Sequence, residues 1–199
     1  MRLKVLALAS GLALALGLAI GAGMAAFAQE ATAEGDGAAE GGAELLAVAK
    51  TDADCKPGFG CVTNLPLPRF VSLKGDEGNA RRGPGLTHRI DWVFTRPGMP
   101  LKITAEYEHW RRVEDQDGAG GWVHYSLLSG VRSVMVTLDM AELRDAPDGH
   151  GQVLAQAELG VVARVQECTA DWCRISADGE KGWVQKSALW GVAPGEVIE

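Results

Sequence analysis

Trp110-Arg111-Arg112-Val113, then Gly121-Trp122-Val123 followed by Ser126-Leu127-Leu128, return further along the chain as Trp172-Cys173-Arg174-Ile175 and Gly182-Trp183-Val184 followed by Ser187-Ala188-Leu189. The shifts are 62 and then 61. An earlier pair of blocks, Asn79-Ala80-Arg81-Arg82-Gly83-Pro84 and Glu142-Leu143-Arg144-Asp145-Ala146-Pro147, aligns at 63, so one-residue gaps separate the matching blocks. Self-similarity at a fixed shift marks a repeated structural unit, here two units of about 60 residues each.

Within each unit the apolar residues alternate. Leu101, Ile103, Ala105 and Tyr107 are interleaved with Lys102, Thr104, Glu106 and Glu108, the pattern of an antiparallel strand buried on one face. Val161-Val162-Ala163-Arg164-Val165 is its β-branched counterpart. Turn signals recur at Gly83-Pro84-Gly85, Arg96-Pro97-Gly98, Asp117-Gly118, Asp148-Gly149 and Asp178-Gly179, so short strands with frequent turns are expected. Helix is confined to single turns at Ser126 to Leu128 and Ser187 to Leu189. The fold class is all-β, with two tandem small barrels.

Outward from this core, the chain start reads as an export signal. Arg2 and Lys4 precede a small and apolar run from Val5 to Phe27, which ends Ala26-Phe27-Ala28 before Gln29. Small residues at minus three and minus one suit signal peptidase. The run is about long enough to span a bilayer, but its glycines and alanines make it weakly hydrophobic for a stable span. The expected product begins at Gln29 and is periplasmic or secreted; intact-mass measurement checks this, and a mass that retains residues 1–28 refutes it.

The chain has 199 residues, 47% apolar and 23% charged, a globular composition. Beyond residue 28 it carries 17 Lys and Arg against 26 Asp and Glu, a formal charge of −9. Nucleic acid is excluded as a partner, because phosphate contact needs basic residues in number. Residues 29–50 are Ala, Gly and Glu with little to bury, a linker. Residues 51–67, rich in Cys, Pro and Gly, form a stapled lead-in, and the two barrels are expected over 68–130 and 131–199.

Four cysteines lie in a compartment that permits disulfides, and three pairings are possible. Short spacing favours Cys55 with Cys61 and Cys168 with Cys173; the second pair would face each other across a hairpin. Neither spacing is C-x-x-C and no His pair follows, so no metal or cofactor is expected.

Several blocks together resemble the bacterial type of Src-homology-3-like (SH3-like) domain, a five-stranded barrel common in exported bacterial proteins. They are Pro68-Arg69-Phe70-Val71-Ser72-Leu73-Lys74, Asn79 to Gly85, Trp110 to Val113, Gly121-Trp122-Val123-His124 with Ser126 to Gly130, and in the second unit Trp172 to Ile175, Gly182 to Val184, and Leu189-Trp190-Gly191-Val192 with Pro194-Gly195-Glu196. The resemblance covers about residues 68 to 196. Ala80 departs from it, standing where the family has a larger aliphatic residue, and this implies a less firmly anchored first loop. The second unit also replaces Gly-Pro-Gly by Ala146-Pro147-Asp148.

The resemblance implies a binder of peptidoglycan or its stem peptides, with a protein partner or structural role in the cell envelope as the alternative. Relatives of this fold cradle extended peptides on aromatics, so Trp92, Tyr107, Trp110 and Tyr125 are candidate groove residues, with Phe94 beside them. Trp122 and Trp183 are expected in the cores, where an indole fills much of a small barrel. Arg81 and Arg82, followed by His88 and Arg89, form a basic loop that suits a carboxylate clamp; local pairing with Asp76, Glu77 or Asp91 is the competing reading. His88, His109, His124 and His150 are scattered singles, and no H-E-x-x-H or G-x-S-x-G stretch occurs. No catalytic residue is assigned. Asp115-Gln116-Asp117-Gly118 lacks an acidic twelfth residue for a calcium loop and reads as a hairpin turn.

Overall fold

The strands before residue 130 pair into one sheet and the strands after it into another, as the repeat requires. The structure, a computed structural model, describes residues 55–199; the expected export signal, the linker and the first residues of the lead-in lie outside them. The first sheet comprises β1 (Arg69–Leu73), β2 (Gly78–Arg81), β3 (Ile90–Phe94), β4 (Pro100–Tyr107), β5 (Trp110–Glu114), β6 (Gly120–His124) and β7 (Leu128–Ser129). The second comprises β8 (Ser133–Val136), β9 (Ala141–Arg144), β10 (Val153–Ala157), β11 (Val162–Cys168), β12 (Trp172–Ala177), β13 (Glu180–Gln185) and β14 (Leu189–Trp190).

Strand order is β3-β2-β6-β5-β4-β1-β7 in the first sheet and β10-β9-β13-β12-β11-β8-β14 in the second. The chain forms two barrels in tandem, in line with the fold that the resemblance implies. Each sheet has seven strands rather than five, two of them forming a hairpin (β2–β3 or β9–β10) that follows the first strand. Single 3-10 turns occupy Tyr125–Leu127 and Lys186–Ala188, one residue earlier than expected.

Leu73, Ala80, Phe94, Leu101, Ile103, Val113 and Val123 form one buried cluster. They come from six successive strands, so the sheet rolls around its own apolar face. Ala80 is fully enclosed despite its size, and its neighbour Phe94 fills the space. The second barrel reverses the arrangement, with Leu143 at the position of Ala80 and Ala157 at that of Phe94. Large and small exchange places, which is how cores conserve volume.

Two expectations fail on strand parity. Trp122 and Trp183 are only partly buried and belong to neither core cluster. Val123 and Val184 beside them are enclosed, and successive strand residues face opposite ways, so both indoles point outward. Along β4 the register against β5 shifts between Ile103 and Ala105. One extra residue there inverts the alternation. Glu106 therefore turns inward and Tyr107 outward, 46% exposed.

The glycine before each outward Trp has a steric reason. A Cβ on Gly121 would stand 2.6 Å from the carbonyl oxygen of Arg81, and one on Gly182 would stand 2.7 Å from Cβ of Leu143. Only a bare backbone lets β6 and β13 cross β2 and β9 so closely.

Both short-spaced disulfides form, Cys55–Cys61 and Cys168–Cys173. The turn between β5 and β6 is held by Asp115, whose Oδ1 accepts from the N–H of Asp117 at 3.0 Å and of Ala119 at 2.8 Å. Only Gly130 to Arg132 separate β7 from β8. Phe70 of the first barrel meets Trp190 of the second edge to face, with centroids 5.2 Å apart. Nη1 of Arg96 donates to the carbonyl of Gly160 at 2.7 Å.

Candidate functional site

The hairpin turn at Glu108-His109 brings the ends of β4 and β5 together, and β6 delivers His124 beside them. Tyr107 pairs with Trp110 across this turn, and Trp110 pairs with His124 across the next strand gap. The N–H of Tyr125 donates to the carbonyl of His109 at 2.9 Å, tying the turn to the start of the 3-10 segment. Ring centroids then lie 4.9 Å apart for His124 and Tyr125, 5.7 Å for His109 and Tyr125, and 6.0 Å for His109 and His124. Trp110 meets His124 edge to face at 5.5 Å. Such offset and edge contacts are favourable beyond the area they bury.

The rings differ in access. Tyr125 is 50% exposed, whereas Trp110 is 8% exposed and forms the floor. Nδ1 of His124 lies 2.7 Å from Oγ of Ser126, which fixes the ring plane. The guanidinium of Arg111 stands 5.9 Å from the Tyr125 ring centre. The result is a patch of exposed aromatic edges with imidazole donors, suited to an extended chain carrying carbonyl groups.

Of the residues singled out from sequence, Trp110 and Tyr125 gather in this patch, and exposed Tyr107 is the cross-strand partner of Trp110 beside it, without a ring contact. His109 and His124, read as scattered singles, belong to it as well. The signal was available: each flanks a residue already chosen. Trp92 lies elsewhere, on edge strand β3, and makes no ring contact with the patch.

The basic loop is a separate feature with its cations engaged. Nη1 of Arg81 donates to the carbonyls of Leu86 at 3.0 Å and His88 at 2.7 Å, so this side chain ties the loop to itself. The ring of His88 packs where a side chain on Gly83 would have to go. Nε of Arg82 and Nε of Arg89 both donate to the Asp91 carboxylate, at 2.9 and 2.7 Å. The bond from Arg82, then that from Arg89, holds the Asp91 carboxyl below its ordinary range. Local pairing thus occurs, and its partner is Asp91.

The second barrel lacks the aromatic patch. Thr169, Asp171, Gln185 and Lys186 stand where the first has Tyr107, His109, His124 and Tyr125. It carries instead an open groove of about 560 Å³ lined by Glu167, Thr169, Trp183, Val197 and Glu199 among others. Among the described residues, no group of three or more His, Cys, Asp or Glu is placed to hold a metal ion.

A relative in Bacillus subtilis (strain 168), named "Putative N-acetylmuramoyl-L-alanine amidase YrvJ", is 27% identical over 139 residues. The match takes in 64% of this chain but only 26% of that protein, so the chain spans about a quarter of its length. Two solved structures, of NlpC2 and NlpC1 from Trichomonas vaginalis, each share 13% identity, with TM-scores of 0.29 and 0.30. They align with 62% and 68% of this chain, and with 48% and 50% of their own. The model of the bacterial SH3 domain matches residues 74–130 and again residues 138–191, more than half of the chain and one copy in each barrel, so the protein belongs to the bacterial SH3 domain family.

Proposed function

We propose that this protein is an exported, non-enzymatic binding module for peptidoglycan, and that the first barrel takes wall peptides on the patch of Tyr107, His109, His124 and Tyr125. The observation that carries this reading is the convergence of the His109, His124 and Tyr125 rings at one end of one barrel, with exposed Tyr107 beside them and polar residues in their place on the other. An exposed aromatic cluster without a covering chain commonly marks a binding surface. Membership of the bacterial SH3 domain family supports the wall as target, as does similarity to a relative named as a putative N-acetylmuramoyl-L-alanine amidase. The paired cysteines fit a compartment outside the cytoplasm.

A protein partner in the envelope is the second reading, favoured by β3. This strand lies at the edge of its sheet and exposes Ile90, Trp92 and Val93; unpaired apolar edges invite another chain.

Sedimentation of the mature chain with purified sacculi separates the two. The first reading expects the protein in the pellet, and expects His124→Ala with Tyr125→Ala to weaken retention about tenfold, as loss of an anchoring residue does. Lys186→Ala, at the matching position of the second barrel, leaves it unchanged. Protein that stays in the supernatant while envelope proteins retain it overturns the first reading in favour of the second.

A further inference from the structure

The outward tryptophans that upset the core expectation occupy the same place twice. Trp122 is the direct cross-strand partner of Arg112 on one side and Arg81 on the other. Trp183 is the direct partner of Arg174 on one side and Arg144 on the other. Direct partners in an antiparallel sheet share a face, with Cβ atoms about 5 Å apart. Each barrel therefore carries on its outer surface a row that reads Arg, Trp, Arg across three strands.

The chemistry of the row is one-sided. A guanidinium has five N–H donors and no acceptor, and an indole adds one more donor beside an apolar, electron-rich face. Neither indole N–H has a protein partner among the described residues. Arg112 is exposed, and its guanidinium makes no hydrogen bond or ion pair among them. Arg174 meets Glu167 at 3.3 Å with both side chains nearly half-exposed. Arg81 and Arg144 spend one Nη1 each on their own hairpin loops, through Leu86 and His88 in one barrel and Gly151 in the other. Arg144 also pairs with Glu142. Beside Trp183 lies the groove of about 560 Å³, within the range of pockets that take small ligands.

A ligand matched to this row has a flat apolar face for the indole and oxygen acceptors along both edges for the guanidinium groups. A pyranose ring has that form: its axial C–H bonds present a weakly positive face to the negative face of the indole, and its hydroxyl and acyl oxygens project outward at the rim. We propose that Trp122 and Trp183, each flanked by its two arginines, are two equivalent platforms for the sugar rings of an N-acylated glycan. Two copies of one platform suit a polymer with a repeating unit, since engagement of one raises the effective concentration at the other. The inference rests on the peptidoglycan reading for its choice of glycan and adds to it a sugar contact distinct from the ring patch of the first barrel.

The test is titration of the mature chain with a β-1,4-linked tetramer of N-acetylglucosamine, followed by NMR of the six indole N–H signals. The signals of Trp122 and Trp183, assigned from Trp122→Phe and Trp183→Phe, shift in a saturable way, and that of the buried Trp110 stays. Arg112→Ala weakens the response at Trp122 about tenfold and leaves the response at Trp183 unchanged. A tetramer that moves neither signal, with the spectrum of the folded protein intact, overturns the platforms. If sacculi still retain the protein in that case, the peptidoglycan reading survives without them; if the tetramer binds and sacculi do not, the platforms stand and that reading falls.

Discussion

Replacing Glu106 by Ala lowers stability by about 3–5 kcal/mol, the cost of leaving buried charge without its partner. The Glu106 side chain has no exposed surface, and Arg69 and Arg111 beside it are 18% and 8% exposed. Nη2 of Arg69 donates to Glu106 Oε1 at 2.5 Å, and Nε of Arg111 stands 3.6 Å from the same oxygen. The remaining bonds come from the lead-in: the Thr63 hydroxyl at 2.7 Å, the Thr63 N–H at 2.9 Å and the Val62 N–H at 3.1 Å. One carboxylate thus holds the stapled segment onto the barrel, and Gly60 of that segment lies so close that a Cβ there would collide with it.

Acid should act at the same place. Burial pushes the Glu106 carboxyl up, but the hydrogen bonds from Thr63 and Arg69 and the charge of Arg111 outweigh it, so the net direction is below the ordinary glutamate value. A group with a lowered folded pKa adds stability above its unfolded pKa, and that stability is lost as pH falls through the folded value. Denaturant melts of the wild type and of Glu106→Gln should therefore differ most near neutral pH and converge in acid. A Glu106→Ala loss under about 1 kcal/mol at neutral pH would mean that water, not the arginines, compensates this carboxylate.

Why the sequence disclosed the barrels and hid this site is a matter of range. The repeat, the turns and the alternation of strand residues are local patterns, and the alternation holds only up to the register shift that β4 and β11 both take against the next strand. Glu106 was placed on the solvent face by the same alternation, and the bulge between Ile103 and Ala105 reversed it. No residue type at Thr104 announces a bulge; it becomes visible only once β5 lies alongside. The outward tryptophans are a different failure. Val123 and Val184 next to them carry the inward parity, and position on the strand, not the size of an indole, decides which way it faces. Among the candidate residues, Trp110 and Tyr125 did converge, because the β4–β5 turn and the end of β6 lie side by side. Trp92 did not, because the β2–β3 hairpin carries it to the sheet edge.

The barrels solve one cross-strand position in two ways. Glu106 pairs in register with Arg111, and Cys168 pairs in register with Cys173, at equivalent places in the repeat. The first barrel closes this end with ions and covers it with the lead-in. The second closes it with a disulfide and covers it with residue Ile198, whose N–H and carbonyl both bond to the backbone of Cys168, at 3.0 and 2.8 Å. Changing both Cys168 and Cys173 to Ala should cost about 2 kcal/mol, since a bridge across so short a loop removes little entropy from the unfolded chain. The loss belongs to the second barrel. Amide exchange should rise at Cys168 and Ile198 and in β11 and β12, while Leu101, Ile103 and Val113 of the first core keep their protection. The groove beside Trp183 is lined in part by Val197, Ile198 and Glu199, so it should widen or empty in the same variant. Equal loss of protection in both barrels would show that the contacts of Phe70 with Trp190 and of Arg96 with Gly160 make the pair unfold as one, and the second barrel would then have no separate stability for its disulfide to guard.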